Sequence, residues 1–216
     1  MRSAPAAALA LALLVAGAGP ASGQEAGPEP AGESRGTPWD VSFGVYGFDP
    51  PDDDAYASAI LRADRGALHL EARYQYEDLD SASFFVGRNF VWADELSVLV
   101  VPMIGAVAGD TDGVAPGLEY DLAWKALEWY GESEYVYDLH DADDSFFYTW
   151  NELTLAPAEW LRFGLVAQRT RVFEQELTLD RGLLLGLAYG SLWLDLYLFN
   201  PDQDDAYVGV ALGFGG

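Results

Sequence analysis

The chain has 216 residues, 35 acidic against 11 basic side chains and a formal charge of −24, yet half of its residues are hydrophobic and 14% are aromatic. That balance excludes nucleic acid as a partner, because phosphate binding needs clustered Lys and Arg. The absence of Cys excludes disulfides and a lipid anchor on cysteine.

Arg2, an apolar run over residues 6–18 and Ala21-Ser22-Gly23 have the order of a secretory signal peptide, so residues 1–23 are expected to be removed. The run is shorter than the roughly 20 residues that a membrane helix needs. Residues 24–38 are rich in Gly, Pro, Glu and Ser and read as a disordered periplasmic lead-in. Residues 39–216 make one β domain.

From Trp39 onward no helical period emerges. Instead, alternating segments are separated by turn residues. In order they span 39–48, 56–64, 67–77, 83–92, 96–108, 114–124, 128–139, 145–156, 160–172, 178–189, 192–199 and 206–214. In the third, Leu68, Leu70, Ala72, Tyr74 and Tyr76 oppose His69, Glu71, Arg73, Gln75 and Glu77. In the sixth, Leu118, Tyr120, Leu122 and Trp124 oppose Gly117, Glu119, Asp121 and Ala123. A strand places successive side chains on opposite faces, so each segment has a polar or small face and an apolar one. The last segment has Val208, Val210, Leu212 and Phe214 against Tyr207, Gly209, Ala211 and Gly213. Its free edge can be closed against the first strand to make a barrel.

Alternation fits both a soluble lipocalin-like barrel, with the apolar face inward, and a membrane barrel, with the apolar face on lipid. The connections separate the two. Those at 49–55, 78–82, 109–113, 140–144, 173–177 and 200–205 hold acids and no Lys or Arg. Those at 65–66, 93–95, 125–127, 157–159 and 190–191 are shorter, and Arg65 and Lys125 sit in them. Short periplasmic turns and longer acidic extracellular loops are the outer-membrane arrangement. Trp39, Trp92, Trp124, Trp129, Trp160 and Trp193 gather at the short-turn end. Phe48, Tyr56, Tyr74, Tyr76, Phe84, Tyr135, Tyr137, Phe146, Phe199 and Tyr207 gather at the loop end. Two aromatic belts suit two headgroup levels. The fold expected is all-β: a closed antiparallel transmembrane barrel of 12 strands, with Glu71, Glu119 and Glu132 pointing into it.

On these features the chain resembles bacterial (Gram-negative) outer-membrane β-barrel proteins. Many of them end in an assembly signal of polar, any, Gly, any, any, hydrophobic, any, aromatic. Tyr207, Gly209, Leu212 and Phe214 fit that spacing, with Gly215-Gly216 following where most such chains stop. The resemblance implies outer-membrane localisation, insertion by the barrel-assembly machinery, and contact with outer-membrane lipids and lipopolysaccharide.

Catalytic residues are sparse. The outer-membrane phospholipase, which this chain resembles in strand number, works with Ser beside His on the lipid face. Here the two His are His69, on the polar face, and His140, in an acidic loop; there is no G-x-S-x-G elbow. His140 with Asp141, Asp143, Asp144 and Ser145 is a faint echo of the lipid A acyl-transferring barrels. No cofactor is expected beyond loosely bound Ca²⁺ or Mg²⁺ at the acidic loops, and no specific metal site. The candidate lumen lining is Glu71, Arg73, Gln75, Glu119, Asp121, Glu132, Glu134, Glu152, Arg162 and Asp195, joined by Arg62 and Gln168. Opposed charges on different strands either line a narrow polar channel or pair across the lumen and fill it. The function expected is a non-enzymatic structural barrel or narrow small-solute channel. The alternatives are a lipid-modifying enzyme (phospholipase or acyltransferase type) and a soluble periplasmic carrier.

Overall fold

The computed structural model describes residues 38–51, 54–172 and 178–215. The expected signal peptide, the lead-in up to residue 37 and the connection at 173–177 lie outside the described residues. The strands are β1 (Asp40–Asp49), β2 (Tyr56–Arg65), β3 (Leu68–Tyr74), β4 (Ala82–Arg88), β5 (Phe90–Ala93), β6 (Ser97–Ala108) and β7 (Gly113–Trp124). They continue as β8 (Leu127–Asp138), β9 (Phe146–Ala158), β10 (Leu161–Val172), β11 (Thr178–Tyr189), β12 (Leu192–Phe199) and β13 (Tyr207–Phe214).

Each strand pairs antiparallel with its neighbours, and two pairings join distant parts of the chain. Last strand β13 pairs with β1 in the register Phe43↔Phe214 to Asp49↔Val208. On the far side β4 pairs with β6, from Ala82↔Ala108 to Gly87↔Met103. The sheet therefore closes on itself. The expected fourth segment is split into β4 and β5, but the register runs on unchanged from Gly87↔Met103 to Phe90↔Val100. Arg88 thus falls opposite Pro102, whose nitrogen has no hydrogen to give to the ladder. β4 and β5 are one crossing, and the barrel has 12 strands. A second proline, Pro116, leaves a similar gap between Val114↔Tyr137 and Gly117↔Glu134 of β7 and β8.

Tight turns close one end. Gly66, Lys125 and Gly190 take left-handed φ of 61°, 56° and 60° there. Glycine adopts that region without steric cost, and Lys125 shows that a turn can force another residue into it.

Burial settles which face is inside. Glu71 (1% exposed), Glu119 (6%) and Glu132 (1%) point inward, while Leu61, Leu118, Leu153, Leu165, Leu196 and Val210 are open to the surroundings. A soluble barrel would show the reverse. An apolar outer wall on a barrel with no free backbone edge is what hydrocarbon demands, since no water is present there to satisfy unpaired N–H and C=O groups. The soluble-carrier alternative fails on this point.

The aromatic belts are only partly as expected. Trp39, Trp92, Trp124, Trp129 and Trp160 are exposed at the short-turn end. Cations cover some of these outer rings, with Arg65 5.8 Å from Trp39 and Lys125 Nζ 4.5 Å from Trp124. Trp193 turns inward against Tyr46, with ring centroids 6.0 Å apart. At the loop end Tyr74, Phe84, Tyr135 and Tyr137 are exposed, but Phe48, Phe146 and Phe199 are buried inside, with Tyr56, Tyr76 and Tyr207 packed against them. Clustering by height along a strand does not give the face; parity does. Tyr76 was expected outside with Tyr74. Gln75, at φ 51°, interrupts the alternation and turns Tyr76 in.

Leu185, 43% exposed near the middle of β11, tests the lipid face. Leu185→Arg is expected to lower the unfolding free energy in bilayers by about 2–4 kcal/mol, and Tyr189→Arg at the short-turn rim by about 0–1 kcal/mol. Urea titration of the reconstituted barrel measures both; equal costs would contradict the assignment.

Candidate functional site: a charged and aromatic lumen

Inward rows of β2, β3, β7 and β8 meet across the lumen. Arg62 on β2 donates through Nη2 to Glu119 Oε1 of β7 at 2.8 Å and to Tyr130 Oη of β8 at 3.2 Å. Its Nε donates to Glu71 Oε2 at 3.2 Å, and Glu132 Oε2 lies 3.5 Å from Nη2. Arg73 on β3 donates through Nε to Glu71 Oε1 at 2.6 Å and through Nη1 to Glu134 Oε2 of β8 at 2.9 Å. The same Nη1 lies 3.1 Å from Glu132 and donates to Glu77 at 3.3 Å. Going around the sheet from β3 to β8 passes β4, β6 and β7. These bonds are therefore chords through the interior, not ladders along the wall. Arg73 is also sandwiched by rings, 4.6 Å from Tyr76 and 4.5 Å from Phe85. Cation–π contact of this kind gains strength away from water.

A second cluster joins β9, β10 and β12. Arg162 grips Asp195 with two donors, Nη2 to Oδ2 at 2.6 Å and Nε to Oδ1 at 3.3 Å. Its Nη1 lies 3.1 Å from Glu152 Oε2. Trp150 Nε1 and Tyr197 Oη both donate to Glu152 Oε1, at 3.0 and 2.9 Å. Planar guanidinium matches planar carboxylate in such a fork.

Toward the loop end the interior is filled by rings. Trp150 meets Tyr197, Phe199 and Phe48 at centroid distances of 5.4, 5.8 and 6.3 Å. Tyr207 stacks on Phe199 at 4.8 Å. Between the charge clusters and the rings runs a cavity of about 380 Å³. Ser42, Glu128 and Arg162 line it near the short turns, and Tyr56 and Tyr148 near the loops.

Among the candidates named from sequence, Glu71, Arg73, Glu119, Glu132 and Glu134 come together in the first cluster. Glu152, Arg162 and Asp195 form the second. Asp121 is half-buried on the inward row of β7. Gln75 belongs to neither cluster. β3 ends at Tyr74, and the Gln75 amide donates to Asp80 within the loop. Tyr76 turns into the lumen in its place, which periodicity carried across a left-handed residue could not have shown, while Glu77 stays on the inward side where it was expected. Arg62 and Gln168 do face the lumen, with Gln168 on the cavity wall.

In the assembly-signal strand, Tyr207 is half-buried, while Leu212 (39%) and Phe214 (44%) are exposed on the outer wall. Both ring nitrogens of His69 are engaged, Nδ1 by Asp64 at 2.9 Å and Nε2 by Glu71 at 3.2 Å. His140, in the loop, lies 3.9 Å from Asp112. Several loop acids serve their own turns: Asp138 accepts from the His140 and Asp141 amides at 2.7 and 2.8 Å. Among the described residues, His69, Glu71 and Glu119 hold ligand atoms within 4.8 Å of one another, as a metal site would. Arg62 contacts both carboxylates, so a guanidinium already supplies the cation there.

The fold has known counterparts. A structure titled KdgM porin superposes with a TM-score of 0.57 over 81% of this chain and 99% of that one, at 8% identity. OccK5 (OpdH) of Pseudomonas aeruginosa gives a TM-score of 0.45 over 81% of this chain and 67% of that one, at 10% identity. No family model matches the chain, and no curated protein does. The likeness to the KdgM porin concerns the fold. The protein is therefore, by fold, a 12-strand barrel of the outer-membrane type, with an apolar outer wall and an interior of acids, arginines and aromatic rings.

Removing one partner of a buried ion pair leaves the others uncompensated, at about 3–5 kcal/mol. Arg73→Ala, which leaves Glu77 and Glu134 without a cation and takes one of two guanidiniums from Glu71 and Glu132, is expected to lower the unfolding free energy by that amount in urea titrations. Adding Glu71→Gln and Glu134→Gln should restore part of it. No recovery would mean that Arg73 acts through its ring contacts rather than its charge.

Proposed function

We propose that the protein is an outer-membrane, non-enzymatic channel for small solutes, narrow and cation-preferring. The observation that carries this is the imbalance of the lumen. Seven carboxylates (Glu71, Glu77, Glu119, Glu132, Glu134, Glu152 and Asp195) share three guanidiniums, Arg62, Arg73 and Arg162. A wall of acids in a low-dielectric bore concentrates cations and repels anions. The loops at the outer rim add carboxylates and no Lys or Arg, which extends the same field to the entrance. The chords from Arg62 and Arg73 and the rings around Trp150 set the bore. A 12-strand barrel lies between filled eight-strand barrels and open 16-strand porins. Delivery by a cleaved signal peptide and insertion through the Tyr207–Phe214 signal complete the reading.

Planar-bilayer recording of the purified barrel tests it. Small conductance steps are expected, with a reversal potential in a salt gradient on the cation side. Trp150→Ala is expected to raise the step size several-fold, because this ring fills the waist between Tyr197 and Phe48. Silence in both the wild type and Trp150→Ala would leave a structural barrel and defeat the channel. Anion preference would defeat the role given to the acids.

A further inference from the structure

The outer wall is not uniformly apolar. On the strands β12, β13 and β1 it carries Leu, Val and Phe. Across β7 to β11 two rows that carry polar side chains cross it. The first runs Tyr120, Gly131, Asn151, Ala167 and Arg181, each opposite the next on the neighbouring strand. The second runs Ser133, Thr149 and Arg169. All of these lie on the face of Leu153, Leu165 and Leu183, which points to lipid.

Local bonds hold the rows in shape. Tyr120 Oη donates to Asn151 Oδ1 at 2.6 Å, and Trp129 Nε1 donates to the same oxygen at 3.2 Å. Asn151 Nδ2 donates to Thr149 Oγ1 at 3.1 Å, and the hydroxyls of Ser133 and Thr149 are 3.0 Å apart. Tyr120 lies flat over Gly131, where a Cβ would run into its ring. Beside the cluster a groove of about 350 Å³ runs over Ala167 and Gly182, walled by Leu153, Leu165 and Leu183, and ends at Arg181 and Asp202. Arg181, with 54% of its side chain exposed, donates to Asp202 at 2.8 Å. Arg169 and Arg181 each stand fourth from the loop end of their strand, within snorkelling reach of the outer headgroups.

We infer that this wall binds a phosphate-bearing lipid of the outer leaflet, an acyl chain lying in the groove and the phosphate held by Arg169 and Arg181. The ligand chemistry is matched at both ends. Guanidiniums pair with phosphate oxygens, the Asn151 amide and the Ser and Thr hydroxyls suit a sugar or ester headgroup, and the leucine walls suit a chain. A second copy of the chain docked on the same patch would face these guanidiniums with its own, which a phosphate would not. The inference rests on the outer-membrane reading above.

The test uses the full barrel in detergent micelles with lipid A, a bisphosphorylated glycolipid, against phosphatidylcholine, with bound lipid counted by native mass spectrometry. Wild type is expected to retain lipid A in preference. The double variant Arg169→Gln/Arg181→Gln should bind it about tenfold more weakly. Ala167→Trp, which fills the groove and keeps both cations, should weaken it too, and Lys125→Gln at the opposite rim should not. Equal binding of both lipids, or no loss in either groove variant, overturns the site. Competition by inorganic phosphate as strong as by lipid A overturns the lipid in favour of a plain anion site. Heat-modifiable gel migration confirms that each variant is folded. Failure of the folded wild type to enter lipid vesicles overturns the membrane reading, and the site with it.

Discussion

Every structural feature of this protein depends on closure. A sheet placed in hydrocarbon must pair all of its backbone groups, and only a ring without an edge does so. The pairings of β1 with β13 and of β4 with β6 make that ring. Twelve is an even number of crossings, so the first and last strands meet antiparallel, with the start of β1 and the end of β13 on the short-turn side. Pro102 and Pro116 interrupt the ladder, yet the register continues past both, because the alternation of faces on either side specifies it.

Closure creates an interior too wide to be filled by one row of side chains and too narrow to hold bulk water throughout. The chain fills it with two materials. Aromatic rings take the loop half, and Arg–carboxylate chords take the rest. A chord ties four strands at once, as Arg62 on β2 does through Glu71 on β3, Glu119 on β7 and Glu132 on β8. Such links resist shear between opposite walls, and the cavity that remains is lined by members of the chords, among them Arg62, Glu132 and Arg162, with tyrosines and Trp150. The stiffness of the barrel and the cation preference proposed for it thus rest on the same residues.

The outside shows the complementary asymmetry. Most of the wall faces lipid chains, while β7 to β11 carry a hydrogen-bonded polar set and two arginines. Charges held in that position are costly unless a counter-charge meets them. Asp202 supplies part of that at the rim.

Much of this was legible in the sequence. Alternation in 68–74, 117–124 and 207–214 specifies strands and their two faces, because side-chain period two needs no tertiary information. The sorting of acids into long connections specifies which end is which. Membership of the lumen was also legible wherever the alternation is unbroken, as for Glu71, Glu119 and Glu132. It failed at Gln75, where one left-handed residue moves Tyr76 to the inner side. It failed again for Phe48, Phe146 and Phe199, whose height along the strand suggested a belt and whose parity puts them inside. Which carboxylate meets which arginine across the lumen is decided by closure. Arg62 and Glu119 are 57 residues apart, and nothing local brings them within 2.8 Å. The polar rows on the outer wall have the same origin. Tyr120, Asn151, Ala167 and Arg181 are scattered through four segments, and only the registers of neighbouring strands set them side by side. The chain alone thus determined the strands and their faces, through local periodicity. The partners across the lumen and across the wall were decided by the tertiary structure, because register and curvature belong to the closed sheet and not to any one strand.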